Sequence, residues 1–549
     1  MLASPFAIGF SYQNLQTTEN SNEANVSSDL HSAEEKQEEV QVWTEPTCKT
    51  FEDYFTDKGI TAATITEEDF YGSGTMSDPY VINSSNGMWY FRNTALCRTN
   101  FVDKYVELGC DIILNEEIYD ENGYIQGGDG VVYSWTEDSS SWFKNFYFEG
   151  NGFTISGLYF NDDEKNFVSL FGAGNPKRVT NLIMSNYYIV AEQYAAAVAY
   201  SVREIDNCIT KDGYIYANTV AAGFVAGCSS IKNSTNFSKV SVAGRMAGGI
   251  VASWSHTAVM EITNCKNYGE ISAGTGYVGG ISGNPSGILT FKNCVNYGIL
   301  RGDGEIGGIC CADYNIGTKT FTNCVNYGDI YVVAAGSYVG GIVARSTQKT
   351  EISGCKQYGG FINTTGGAMY AGGIIGMVNQ GAIVTVSNCV VKSSQMDSEN
   401  ESLFGRLGDA TLYASNISAV IETNAKYVGI FTYFKDARCE LRNINLEINT
   451  QDANPYFYFS IYTIGDNKIF IKKAIVKTNV SQYVQLRTWI NQQIDSFILN
   501  NKYIGDDFSE LFVNWKTGKI GLGRDKVNMF QSKVTKEWLD ENGYQELTI

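Results

Sequence analysis

Between residues 259 and 345 apolar and polar positions alternate in short runs, and the runs repeat. EITNCKNYGEI (261–271) is followed by YVGGIS (277–282), LTFKNCVNYGIL (289–300) by IGGICC (306–311), and KTFTNCVNYGDI (319–330) by YVGGIV (338–343). Alternation with period two puts successive side chains on opposite faces of a strand, so each unit predicts three short strands separated by turns. The second glycine of the Gly-Gly-Ile signature falls at Gly249, Gly280, Gly308, Gly341 and Gly373, with gaps of 31, 28, 33 and 32 residues. Weaker copies at Gly223 and Ala197 extend the series in steps of 26. A fixed period of this size marks stacked units; a four-stranded propeller blade needs about 40 residues, and no apolar run has helical spacing. The pattern predicts an all-β fold, a right-handed parallel β-helix of three-strand coils with terminal caps, the hand being that of parallel crossovers in general. About twelve coils fit the chain, roughly 60 Å long at about 4.8 Å per coil.

Stacking turns each recurring residue into a column. Cys265, Cys294, Cys324, Cys355 and Cys389 form one; Asn267, Asn296 and Asn326, continued by Gln357, form another; Tyr268, Tyr297, Tyr327 and Tyr358, with Phe237 below, form a third. An amide ladder lets each rung hydrogen-bond to the next along the axis. Strict alternation with Cys and Asn inward sends the tyrosines outward, whereas a turn at the asparagine buries them. The column is then either a stack that steadies the coil or an exposed ladder against which sugar rings or a partner protein pack.

Taken in order, residues 1–13 hold a short apolar run without a basic start, either an atypical secretion signal or an ordinary beginning. Residues 14–47 are polar and acidic and read as a linker, so 1–47 is leader and linker. Residues 48–165 form an N-terminal cap and first coils, with a helix in SNGMWYFRNTAL (85–96) capped by Ser85. Regular repeats occupy 166–440. Degenerate coils and a C-terminal helical cap (534–547, N-capped by Thr535) fill 441–549.

The succession GSGTMSDPYVI (72–82), EGNGFTISGLYF (149–160) and SLFGAGNPKRVTNLIMSN (169–186), leading into the Asn-Cys and Gly-Gly-Ile coils, resembles the GLUG-type repeat proteins of bacterial cell surfaces. Similar repeats accompany zinc peptidases that cleave immunoglobulin A1. The resemblance covers roughly residues 68–432 and implies an extracellular β-helix. It does not carry peptidase activity to this chain. There are only two histidines, His31 and His256, and no H-E-x-x-H to hold zinc.

Composition narrows the partners. A net charge of −19 argues against nucleic acid and anionic membranes, and no apolar run reaches the length of a membrane-spanning helix. Five of the 13 cysteines form the repeat column, where parallel side chains are badly placed for bridging, so free buried thiols are expected there. No metal or cofactor motif is present; DENGYIQGGDG (120–130) fails the EF-hand pattern and reads as a hairpin. Arg301-Gly302-Asp303 is an integrin-type tripeptide expected in an exposed turn. Candidate binding residues are Tyr268, Tyr297, Tyr327, Arg301 and Asp303, and no catalytic set emerges. The sequence points to a secreted or surface-displayed, non-catalytic binder of glycan or host protein. The alternative is a polysaccharide hydrolase or lyase on the same scaffold, which needs carboxylates converging on one strand face.

Overall fold

A computed structural model describes residues 42–503, apart from short internal stretches of which 136–144 and 481–488 are the longest. The leader, most of the acidic linker, His256 and the C-terminal helix lie outside the described residues. Within them the chain is a parallel β-solenoid of about 12 turns.

One coil shows how the repeat folds. Its segments are Val259–Thr263, Lys266–Asn267, Ile271–Ala273 and Tyr277–Gly279. Each pairs in parallel with its copy one coil on: Glu261 with Thr290, Asn267 with Asn296, Ile271 with Leu300, Val278 with Ile306. A regular coil thus has four β-segments, one more than the alternation suggests, because the second is only two residues long. It is cut from the first by a corner at Asn264, whose φ is 56°. Asn293 and Asn323 turn the next two coils at φ 54° and 53°. Asparagine is among the few non-glycine residues that enter this left-handed region cheaply. Its side chain adds an axial bond, Asn264 Nδ2 donating to Asn233 Oδ1 at 3.0 Å and Asn293 Nδ2 to Asn264 Oδ1 at 3.1 Å.

Inside the coil the amide ladder is continuous and fully buried. Asn236 donates to Asn267, Asn267 to Asn296 and Asn296 to Asn326 at 2.8 Å each, and Asn326 to Gln357 at 3.0 Å. The second hydrogen of each Asn amino group goes to the carbonyl two residues on, as from Asn296 to Gly298 at 2.9 Å. The Gly-Gly-Ile glycines face this ladder. A Cβ on Gly280 meets the Gly308 carbonyl oxygen at 2.2 Å and Cγ of Asn296 at 2.4 Å, so the coil is too narrow there for any side chain.

The cysteine column is buried beside the ladder, and its thiols donate to backbone carbonyls, Cys294 to Ile262 at 3.3 Å. All twelve described cysteines are free; only Cys48 is exposed and Cys110 half-buried. Cys310 and Cys311 are both buried but on opposite sides of the chain, Cys310 in the main core and Cys311 in a small outer cluster with Ala344 and Tyr277. Burial pushes the Cys208 and Cys228 thiols up to about 12, and only the thiolate reacts readily. In the native protein, iodoacetamide is therefore expected to modify Cys48 quickly, Cys110 more slowly because partial burial and the neighbouring Asp111 raise its thiol, and the buried ten only with unfolding. Mass spectrometry of the labelled peptides checks this, and fast native labelling of Cys294 or Cys324 would count against it.

The first coils are closed by an aromatic cap. Helix α1 (Phe51–Lys58) starts at a capping box between Thr50 and Asp53. Helix α2 (Ser85–Tyr90) is capped by Ser84, one residue before the expected Ser85; its Oγ accepts from Gly87 N–H at 2.9 Å and donates to Asp69 at 2.5 Å. The extended backbone of Ser84, with φ −156°, is what frees it to cap. Tyr54 stacks on Trp89 at 4.2 Å, and Trp135 Nε1 donates to the Leu170 carbonyl at 3.0 Å. Strand Trp43–Thr44 pairs with Ile125–Gln126, so ordered structure begins ahead of residue 48. The first long parallel row, opened by Tyr80–Ile82, is flanked on its outer side by Phe70–Tyr71, which runs antiparallel.

Candidate functional site

The backbone stays extended through Lys266–Asn267, so the alternation carries on and Tyr268 points out. Phe237, Tyr268, Tyr297 and Tyr327 are 48%, 41%, 41% and 47% exposed, and Tyr358 is half-buried. The five rings stack face to face. Centroid separations are 4.8, 4.5, 5.1 and 5.0 Å, with planes within 14° of parallel. A ring with neighbours at both faces offers solvent only its edge and, for tyrosine, its hydroxyl. Sugar rings therefore have no face to stack on at Tyr268, Tyr297 or Tyr327; what the middle of the strip presents is a row of edges.

The strip ends at Phe237, and there a groove of about 570 Å³ opens. It is lined by Ile118–Glu121 from the hairpin, by Tyr187, Asp212, Gly213 and Tyr214 from two successive coils, and by Phe237 and Lys239. The irregular backbone of these coils makes the groove. Asn186 and Asp212 sit at φ 46° and 51°. Between the paired positions Thr210–Asn236 and Tyr214–Lys239 the earlier coil has one residue more than the later. Gly213 is forced: a Cβ there meets the Tyr187 ring at 2.3 Å. Tyr187, wholly buried, donates its hydroxyl to Ser238 at 2.8 Å. The polar groups are already oriented. Lys239 Nζ lies 2.5 Å from Glu121 and 6.0 Å from the Tyr214 ring centroid. Asp120 Oδ1 accepts from Asn122 N–H at 2.8 Å and Tyr124 N–H at 2.9 Å, and Asp212 accepts from Ser185 Oγ at 3.3 Å. The hairpin at 118–126 thus forms one wall of this groove.

A second groove, of about 520 Å³, lies where the third segment turns into the fourth, among Arg245, Tyr277, Asp303, Glu305, Ser337 and Tyr338. The Arg-Gly-Asp tripeptide reaches this groove through Asp303. Arg301 and Gly302 belong to strand Leu300–Gly302 and do not form an exposed turn. Arg301 is held by Glu270 at 3.0 Å and lies 4.0 Å over the Tyr331 ring. Cross-coil pairing, Ser272 to Arg301 to Tyr331, fixes that position. Asp303 is half-buried in the second groove, where loss of water raises its carboxyl above the usual range. Glu305 stands between Tyr277 and Tyr338 in cross-coil register and pairs with Arg345 at 2.9 Å, both side chains nearly buried.

Among the described residues no group of three or more His, Cys, Asp and Glu is placed to hold a metal ion, and no helix is long and apolar enough to cross a membrane. Fold and site together define a parallel β-helix with an exposed aromatic strip running into an acidic groove. No protein-family profile and no curated protein matches the chain. Among solved structures, a protein from Bacteroides ovatus described as a "putative immunoglobulin A1 protease" aligns with 50% of this chain and 79% of its own, at 22% identity and a TM-score of 0.35.

Proposed function

We propose that this protein is a secreted or surface-displayed β-helix that binds a glycan or a host protein without transforming it. The observation that carries this reading is the strip of five aligned aromatic rings, four of them exposed. Contiguous exposed aromatic surface on a charged protein marks a place of contact. A solenoid also repeats one contact at each coil, so weak contacts add along the axis. The likeness of its motifs to GLUG-type surface repeats supports an extracellular setting, and a net charge of −19 favours neutral glycans or basic protein surfaces over anionic polymers.

The full chain, printed against an array of neutral glycans, anionic glycans and cell-surface proteins, is expected to be retained on neutral glycans or basic proteins and not on anionic glycans. Replacing Tyr268, Tyr297 and Tyr327 together by Ser removes three central rings and the backing of Phe237. Retention is expected to fall at least tenfold with the circular dichroism spectrum unchanged. Polysaccharide turnover that disappears on changing a single carboxylate, or no retention at all, overturns the reading.

A further inference from the structure

The two ends of the aromatic strip differ from its middle. Each interior ring has a ring against both faces, but Phe237 has one against a single face only, Tyr268 at 4.8 Å and 9°. In the coil below, Phe237 stands over Lys211, since Thr210 pairs with Asn236 and Phe237 N–H donates to the Thr210 carbonyl at 2.7 Å. Lys211 is exposed and carries no ring. All the other lining residues of the acidic groove except Lys239 come from the hairpin or from coils preceding Phe237, on the side away from Tyr268. The face of Phe237 that carries no stacked ring is therefore turned toward that groove, backed by four further rings on the other side.

From this geometry we infer that the groove beneath Phe237 is a binding site for a neutral hexose oligosaccharide, with one pyranose ring stacked on Phe237. The inference rests on the proposed binding function and gives it a location and a ligand class. A flat apolar face meets the C–H face of a pyranose, and polar groups at its rim take up the hydroxyls. That division of labour, one apolar surface with a few placed polar groups, is the usual make-up of a small-ligand site. Asp120, Glu121 and Asp212 accept sugar hydroxyl hydrogens, and Lys239 donates. Three carboxylates against one ammonium leave the groove negative, which disfavours uronic acids, sialic acids and sulfated sugars. A groove of about 570 Å³ holds more than one sugar ring, so a short stretch of chain is the fitting ligand. Preorganisation favours binding: Glu121 and Lys239 are already paired, and Asp120 is fixed by its own turn.

The test uses the full chain and three neutral tetrasaccharides, from maltose-, cellobiose- and mannose-type series, with titration calorimetry for affinity and saturation-transfer NMR for the contact. At least one is expected to bind with millimolar or better affinity, its ring C–H protons taking up the most saturation. Phe237→Ala is expected to weaken that binding at least tenfold, and Phe237→Trp to preserve it. Tyr327→Ser, two rungs beyond the ring that backs Phe237, is expected to leave it within twofold. Asp212→Asn keeps a residue that tolerates the left-handed backbone and should weaken binding severalfold, giving a second readout if Phe237→Ala perturbs its coil. Equal binding by Phe237→Ala and wild type, or loss with Tyr327→Ser but not with Phe237→Ala, overturns the site. If none of the three sugars binds while the array retains a protein ligand, the site is overturned and the binder reading stands. If the array retains nothing either, both fail.

Discussion

Raising the pH from 7.5 to 9.5 is expected to remove about 8 kcal/mol of folding stability, enough to unfold a protein of ordinary stability. The cause is the buried sulfur. Cys208, Cys228, Cys265, Cys311, Cys324 and Cys439 are buried, and loss of water raises each thiol well above its ordinary value. In the unfolded chain the same thiols ionise near pH 8.5. A group whose folded value is raised contributes stability that is fully present below its unfolded value and is lost as the pH climbs toward the folded one. At pH 9.5, one unit above the unfolded value, each thiol has given up about 1.4 kcal/mol, and six give about 8. Urea midpoints at pH 7.5, 8.5 and 9.5 under reductant measure it. Cys265→Val should flatten the pH slope by about one sixth. A midpoint that does not move across this range would sink the prediction.

The second large effect belongs to the amide ladder. Asn296→Ala is expected to cost about 4 kcal/mol. It removes the bonds to Asn267 and Asn326 and leaves an N–H, a side-chain oxygen and the Gly298 carbonyl buried without their partner. Each such buried group costs about 1–3 kcal/mol, partly offset where the site relaxes. Asn293→Gly is the matched control. Its position is exposed and left-handed, glycine enters that conformation freely, and the lost Asn264 bond is at the surface. It is expected to cost under about 1 kcal/mol. Chemical denaturation of both variants decides the matter; equal losses at 296 and 293 would mean that the buried ladder is no more than the surface one.

How much of this was legible in the sequence depends on what repeats. Cys265, Asn267 and Ile271 recur at the same place in successive coils, and a residue that recurs in a stack must fit the same environment each time. The corner role of Asn264 was written in the same Asn-Cys pair but is a backbone property, visible only once φ is known. Ser84 rather than Ser85 caps α2 because Asp69, 15 residues earlier, engages the Ser84 hydroxyl. The covered faces of the tyrosines follow from coil-to-coil spacing, not from residue type. The acidic groove was the least legible part. Glu121 and Lys239 are 118 residues apart and meet only because one coil carries an extra residue beside a hairpin that folds back over it. Arg301 misled for the opposite reason: its tripeptide is local, but Glu270 and Tyr331 from the neighbouring coils decide where it points.

The two-residue strand Phe70–Tyr71 has a consequence for self-association. A stack that grows by offering each new coil a full row of N–H and C=O groups can accept a foreign coil as readily as its own. Here the row beginning at Tyr80–Ile82 meets a strand that is too short to extend it and runs the wrong way. Proteolytic loss of residues 42–79 leaves that row bare and strips α1, with Tyr54, from the aromatic cap. Chains cut in this way are expected to self-associate through the bared row, the more so the higher their concentration.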